Sequence, residues 1–114
     1  MYTIVYYKTN RGDIPVTSFL DEQESKAQAK LIKHINLLSK EGPGLRRPYA
    51  DYLRDGIYEL RVKFSPNGYR ILYFFAVKEK IVLTHGIVKK SDKVPEVEIE
   101  KAIRYKLEFE RRQK

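Results

Sequence analysis

The chain has 114 residues, a length typical of one hydrophobic core, so we expect a single domain spanning residues 1–114. Apolar residues make up 42% of the sequence, which is enough to bury a core and excludes a disordered chain. Cysteine is absent, which excludes disulfides and thiolate metal sites. Neither a membrane-spanning apolar run nor a secretory signal is recognisable, and we expect a cytoplasmic protein with no membrane partner.

The charge balance is strongly basic. Lys and Arg number 23 against 15 Asp and Glu, for a net charge of +8 and an isoelectric point near 9.6. Eight of the cations fall between Tyr58 and Lys93, a span that holds only three acids. Improved solubility alone is one interpretation of the excess, but its concentration in one span favours an anionic ligand there.

The N-terminal part predicts a strand followed by two helices. Residues 2–7 are mostly β-branched and aromatic, as in a strand. Asp13 is expected to cap a short helix with Pro15 in its first turn. A longer helix begins near Ser25 and ends at Gly42, because apolar residues recur there at i, i+4, i+8 and i+11. These apolar positions are Ala27, Leu31, Ile35 and Leu38.

The remaining chain predicts an antiparallel meander and a last helix. Residues 45–56 lack periodicity and are predicted to form a loop. Strands are expected at residues 57–64, 69–77 and 81–88, with a tight turn over residues 65–68. A final helix is expected to have Pro95 in its first turn and to run through Ile99, Ala102, Ile103 and Leu107. The order predicts an α+β fold with two N-terminal helices and a C-terminal helix on a mostly antiparallel sheet of about four strands.

Two arginines of this sheet are candidate phosphate ligands. Glu59, Arg61 and Lys63 alternate with apolar positions on one strand, which is also the pattern of an ordinary solvent-facing strand. Arg70 begins the next strand, where antiparallel pairing brings it near Arg61 or Lys63. Like charges at that distance destabilise the sheet, and a bound phosphate would offset them because a guanidinium matches two phosphate oxygens.

Other polar residues are less specific. His85 lies in an apolar run, which is more typical of a buried sheet histidine, although its pKa range would suit proton transfer. Lys89 and Lys90 follow the last strand, and a lysine among other cations has a lowered pKa and can donate a proton. His34 flanks the helical stripe and receives no role. With no phosphate-binding loop and no metal-ligand spacing, we expect chemistry without a metal or a cofactor.

Three motifs in order carry a family resemblance. They are Gly56-Ile-Tyr-Glu-Leu-Arg61, Gly68-Tyr-Arg-Ile-Leu-Tyr-Phe-Phe75, and Ile81-Val-Leu-Thr-His-Gly-Ile-Val-Lys-Lys90 with a proline soon after. With them the chain resembles the RelE/ParE superfamily of toxins from type II toxin–antitoxin systems, and most closely its HigB-like, phage-derived branch. The resemblance covers nearly the whole chain and implies a RelE-like fold.

The resemblance implies a ribosome-dependent mRNA endonuclease in which the 2′-hydroxyl attacks the adjacent phosphate without a metal. Arg70 matches the arginine that steadies the scissile phosphate, and Arg61 matches a basic position on the preceding strand. Lys90 matches the basic position after the last strand and is expected to be the general acid, with His85 auxiliary. Glu59 stands where the founding branch has a lysine, so it is either the general base or an ion-pair partner of Arg61.

Further cations are expected to contact RNA, and these are Lys63, Lys89, Lys93, Arg46 and Arg47. The expected partners are the ribosome with its mRNA and a cognate HigA-like antitoxin, often with a helix-turn-helix domain, through which alone the toxin reaches operator DNA. Two alternatives stay open. One is a non-enzymatic toxin of the ParE type that targets gyrase, and the other is a basic nucleic-acid-binding domain with steep salt dependence.

Overall fold

The computed structural model describes residues 1–89, 91 and 93–113. Within these residues three helices pack on a mixed sheet of five strands. The elements are β1 (Thr3–Tyr6), α1 (Pro15–Asp21), α2 (Ser25–Glu41), β2 (Ala50–Arg54), β3 (Ile57–Phe64), β4 (Asn67–Ala76), β5 (Lys80–Lys89) and α3 (Glu96–Arg112). The spatial order is β1-β5-β4-β3-β2, with β1 parallel to β5 and the other neighbours antiparallel. The expected α+β class is confirmed.

The sheet has five strands rather than about four, because β2 lies in the segment predicted to be a loop. A two-residue turn, Asp55-Gly56, joins β2 to β3, and both turn residues have positive φ, 51° and 82°. A turn of this kind has a backbone twist that matches the flanking strands, and Asp-Gly favours it because both residues tolerate positive φ. The pairing also shifts register between Tyr52 and Arg54, and such an irregularity breaks the alternation by which a strand is recognised in a sequence.

Two local predictions were wrong. Asp13 does not cap α1, since the capping position is Ile14 without a side-chain hydrogen bond; the backbone N–H of Asp13 donates to Thr9 Oγ1 at 3.1 Å instead. The β3–β4 turn is also tighter than predicted. Phe64 pairs with Asn67, so Gly68 already belongs to β4.

One face of the sheet packs against α1 and α2. The apolar stripe predicted for the long helix is buried there, together with Val16, Phe19 and Leu20 of α1. Its partners on the sheet include Leu60, Ile71 and Leu83, one from each of three adjacent strands. Burial of this face removes a large apolar surface from water and orients both N-terminal helices.

The opposite face packs against α3, but only over part of its length. Ile99 and Ala102 of α3 are buried with Ile57, Leu72, Phe74 and Val82 of the sheet. Leu107, expected on the apolar stripe, is 55% exposed. Tyr105 packs in its place, stacked on Tyr7 with ring centroids 4.5 Å apart. Nearer the β3–β4 hairpin, the same sheet face carries charged residues rather than this apolar cluster.

In the part of the chain that the structure describes, no helix combines the length and the hydrophobicity that a bilayer crossing requires.

We predict that Gly86→Ala destabilises the fold by about 1–3 kcal/mol, because a methyl group there overpacks the core. A Cβ at Gly86 of β5 would lie 2.3 Å from Cδ2 of the buried Phe19 ring. Gly44→Ala is the matched control, since its Cβ would meet nothing within 4 Å. Urea unfolding of both variants measures the difference, and equal midpoints would contradict the close approach of α1 to β5.

Candidate functional site

A buried carboxylate joins the two candidate arginines. Arg61 and Arg70 lie directly opposite each other in the β3–β4 pairing. Glu59 Oε1 accepts a hydrogen bond from Arg70 Nε at 2.8 Å, and Glu59 Oε2 accepts one from Arg61 Nη1 at 3.1 Å. Glu59 is 3% exposed and Arg70 is 6% exposed. The three side chains, here called the Glu59 triad, therefore fix both guanidinium groups relative to the sheet.

The triad reduces the repulsion that we expected between like charges on the two strands. Of the two predicted neighbours of Arg70, Arg61 and Lys63, the structure places Arg61 opposite it, and the protein itself supplies a counter-charge through Glu59. Of the two roles left open for Glu59, the observed contacts are those of an ion-pair partner, and it holds Arg70 as well as Arg61. With two cations and one anion, the three side chains of the triad carry a net positive charge among themselves.

Beside the triad lies a cleft of about 820 Å³, within the size range of small-ligand sites. Its described lining residues include five cations and no carboxylate, and the five are Lys30, Arg61, Lys63, Arg70 and Lys89. Walls that carry charge of one sign focus the electrostatic field into the space between them. The basic cleft, as we call it, is therefore suited to an anion such as a phosphodiester.

Helix α2 completes the basic cleft from the other side of the sheet. Lys30 and His34 lie one turn apart on α2, and the Lys30 ammonium donates a hydrogen bond to the Lys63 carbonyl on β3. They reach the cleft because β2 pairs with β3 only as far as Leu60. Sequence reasoning missed Lys30 and gave His34 no role; their spacing of four residues was the available signal.

The end of β5 forms the remaining wall. Lys89 is 8% exposed, and its Nζ donates to Ser91 Oγ at 3.2 Å. Lys63 is exposed near the hairpin and also lines the cleft. Lys90, the expected general acid, lies outside the described residues. The cleft thus contains four of the predicted cations, Arg61, Lys63, Arg70 and Lys89.

His85 does not line the basic cleft. It is buried beneath α3, where its Nε2 lies 2.9 Å from Glu98 Oε1 and its Nδ1 lies 3.2 Å from Thr84 Oγ1. The Tyr105 ring contacts it edge-on, with centroids 6.0 Å apart. Burial lowers the pKa of His85, and this effect outweighs the hydrogen bond to Glu98, which raises it. The surroundings match a buried sheet histidine.

Two of the other predicted RNA contacts lie on a second surface. Arg47 and Lys93 line a groove of about 510 Å³ between β2 and the start of α3, together with Asp51, Glu59 and Glu96. Arg47 Nη2 lies 2.9 Å from Asp51 Oδ2, and this hydrogen-bonded pairing lowers the pKa of Asp51. Arg46 is exposed in the loop before β2. The second groove is mixed in charge and is a weaker candidate for a polyanion than the basic cleft.

We predict that Glu59→Gln destabilises the fold by about 3–5 kcal/mol, because it removes the carboxylate that is ion-paired with the buried Arg70 and the partly buried Arg61. Glu96→Gln is the matched control: it removes the exposed partner of Arg54 and should cost far less, because exposed ion pairs contribute little to stability. Added sulfate should raise the free energy of unfolding more for Glu59→Gln than for the unmodified protein, as measured by urea unfolding. A variant as stable as the control would contradict the structural role of the triad.

We predict that both histidines titrate below the ordinary value of 6.5, because burial lowers the pKa of each. The unfolded chain then binds more protons than the folded one below about pH 6.5, so stability falls as the pH drops through that range. Two imidazole signals are expected by NMR, assigned with His34→Gln and His85→Gln. A titration midpoint above 6.5 for His85 would show that Glu98 dominates over burial.

Residues 18–106 match the family model described as phage-derived protein Gp49-like (DUF891). The matched range includes all of α2 and β2 to β5 and therefore every lining residue of the basic cleft. A search of curated proteins found no match to the chain.

Proposed function

The chain belongs to the Gp49-like family of phage-derived proteins, a RelE/toxin-like family, and we propose that it is the toxin of a type II toxin–antitoxin system. The proposed activity is cleavage of mRNA on the ribosome, as in the HigB-like branch. In this reaction the 2′-hydroxyl attacks the adjacent phosphate, which leaves a cyclic phosphate and a free 5′-hydroxyl. A cognate HigA-like antitoxin would neutralise the toxin and connect it to operator DNA.

The observation that carries this proposal is the concentration of five cations and no carboxylate among the described residues of the basic cleft. In-line attack on a phosphodiester develops negative charge on the phosphate oxygens and on the leaving oxygen. Fixed cations stabilise that charge more in the transition state than in the ground state. A cleft with these walls needs no metal to bind and polarise the phosphate.

Within this proposal the residues of the triad have two different roles, catalysis and positioning. Arg70 and Arg61 are the proposed catalytic cations that contact the scissile phosphate. Glu59 is a positioning residue, because both of its oxygens accept hydrogen bonds from those arginines. Pre-positioned charge avoids the cost of reorganising side chains during the reaction. Lys90 is the proposed general acid on the family resemblance, and the ribosome supplies the orientation of the RNA.

We predict that Arg70→Ala lowers the rate of mRNA cleavage roughly 100- to 1,000-fold, the usual effect of removing one donor to a developing charge. Primer extension on a defined message in a reconstituted translation reaction measures the cuts. Because Arg70 is buried and ion-paired, Arg70→Lys serves as a second variant that keeps the charge but loses the fork of donors. Both variants are compared only after circular dichroism shows the native fold.

Arg104→Ala is the matched control, since it removes one exposed cation of α3 that does not line the basic cleft. It should cut the message at the rate of the unmodified protein, and a reaction without ribosomes should show few cuts. Intact message together with arrested cell growth would contradict the nuclease proposal and favour a toxin of the gyrase-targeting type. Binding to RNA without either effect would leave a basic nucleic-acid-binding domain.

A further inference from the structure

An aromatic pair forms one wall of the basic cleft. His34 lies on α2, and Tyr49 is the residue immediately before β2. Their ring centroids are 5.9 Å apart, and the ring planes are tilted by 50°. Tyr49 is 43% exposed although it is a large aromatic residue beside a half-buried partner. Its backbone is fixed, because the Tyr49 carbonyl accepts a hydrogen bond of 2.7 Å from Arg61 N. The backbone that carries the exposed ring is therefore fixed next to a triad arginine.

His34 is not there to satisfy a polar contact of the fold. Its Nδ1 atom is buried and has no hydrogen-bond partner among the described residues. A buried polar atom of this kind costs stability, and no hydrogen bond among the described residues offsets that cost, although His34 lines the cleft. Burial and the neighbouring Lys30 and Lys33 lower the pKa of His34. The ring is then uncharged near neutral pH and presents an aromatic surface.

Cations and aromatic rings thus face one space from two sides. In single-stranded RNA the phosphates bind to cations, and the unpaired bases stack on aromatic rings. From this juxtaposition we infer that Tyr49, supported by His34, is a stacking platform for a nucleobase whose neighbouring phosphate lies on Arg61 and Arg70. This inference rests on the proposed function and extends it, since it assigns a base-binding subsite to the same cleft.

A single-stranded segment fits the cleft better than duplex RNA does. Paired bases are already stacked on each other and have no free face for a tyrosine, whereas an unpaired base does. Stacking on an aromatic ring tolerates any base, because every base has a π-face. The platform therefore contributes affinity and position rather than a choice of sequence.

The test uses a short 2′-O-methyl oligouridine, which the protein can bind but cannot cleave because its 2′-hydroxyls are blocked. Tyr49→Leu should weaken binding roughly ten-fold, as loss of one stacked base does, and Tyr49→Phe should retain binding because it keeps the ring. Tyr52→Leu is the matched control, since Tyr52 is similarly exposed, at 52%, but does not line the basic cleft. Equal losses in Tyr49→Leu and Tyr52→Leu would overturn the inference.

A second measurement locates the bound nucleobase directly. An oligonucleotide of the same length with one 5-iodouridine, crosslinked by light and mapped by mass spectrometry, should attach to Tyr49 and not to Tyr52. Crosslinks at Tyr52, or at neither tyrosine, would overturn the platform even if Arg70-dependent cleavage on the ribosome is observed. A Tyr49 crosslink with no cleavage on the ribosome would support the platform and contradict the nuclease proposal, so the two failures are distinguishable.

Discussion

The buried ion-pair triad of Glu59, Arg61 and Arg70 is the constraint on which the rest of the site depends. Antiparallel pairing of β3 with β4 places the two arginines opposite each other, and without a counter-charge that pairing would be unfavourable. Glu59 supplies the counter-charge from the same sheet face, two residues along β3. Buried ion pairs contribute little net stability, because desolvation offsets their attraction, but breaking one is costly. The triad therefore fixes the geometry of both guanidinium groups on the sheet.

The basic cleft exists because neither layer of helices covers the whole sheet. The apolar cluster under α3 includes Leu72 and Ile87 but no residue of β3 beyond Ile57, so the hairpin end of β3 on that face is left to charged side chains. On the other side, β2 stops pairing at Leu60 and leaves the end of β3 open to α2. Cations from both sides of the sheet consequently converge around one strand end. This geometry concentrates positive field in a way that scattered surface lysines do not.

Residues of the same type lie in different surroundings around the basic cleft, and only some of them line it. His85 is buried under α3 and bonded to Glu98 and Thr84, so it organises the helix–sheet contact rather than the cleft. Arg47 is paired with Asp51 in the mixed-charge groove, away from the triad. His34, by contrast, lines the cleft next to Tyr49 with a buried nitrogen that the fold leaves without a partner among the described residues. Burial and partners, not residue type, separate these roles.

The sequence by itself determined the α+β class, the long helix and the β3–β5 meander, because hydrophobic periodicity and turn residues are local signals. It also placed Arg70 near Arg61 or Lys63 across the hairpin, but the tighter turn of the structure decided that Arg61 is the facing residue. Only the tertiary structure decided that β2 is a strand, because its pairing partner and irregular register are not visible in five residues. It alone brought Lys30, His34 and Tyr49 to the arginines, and it alone showed Glu59 between them. Those contacts join α2, a loop and two strands, and local pattern carries no information about where such distant segments meet.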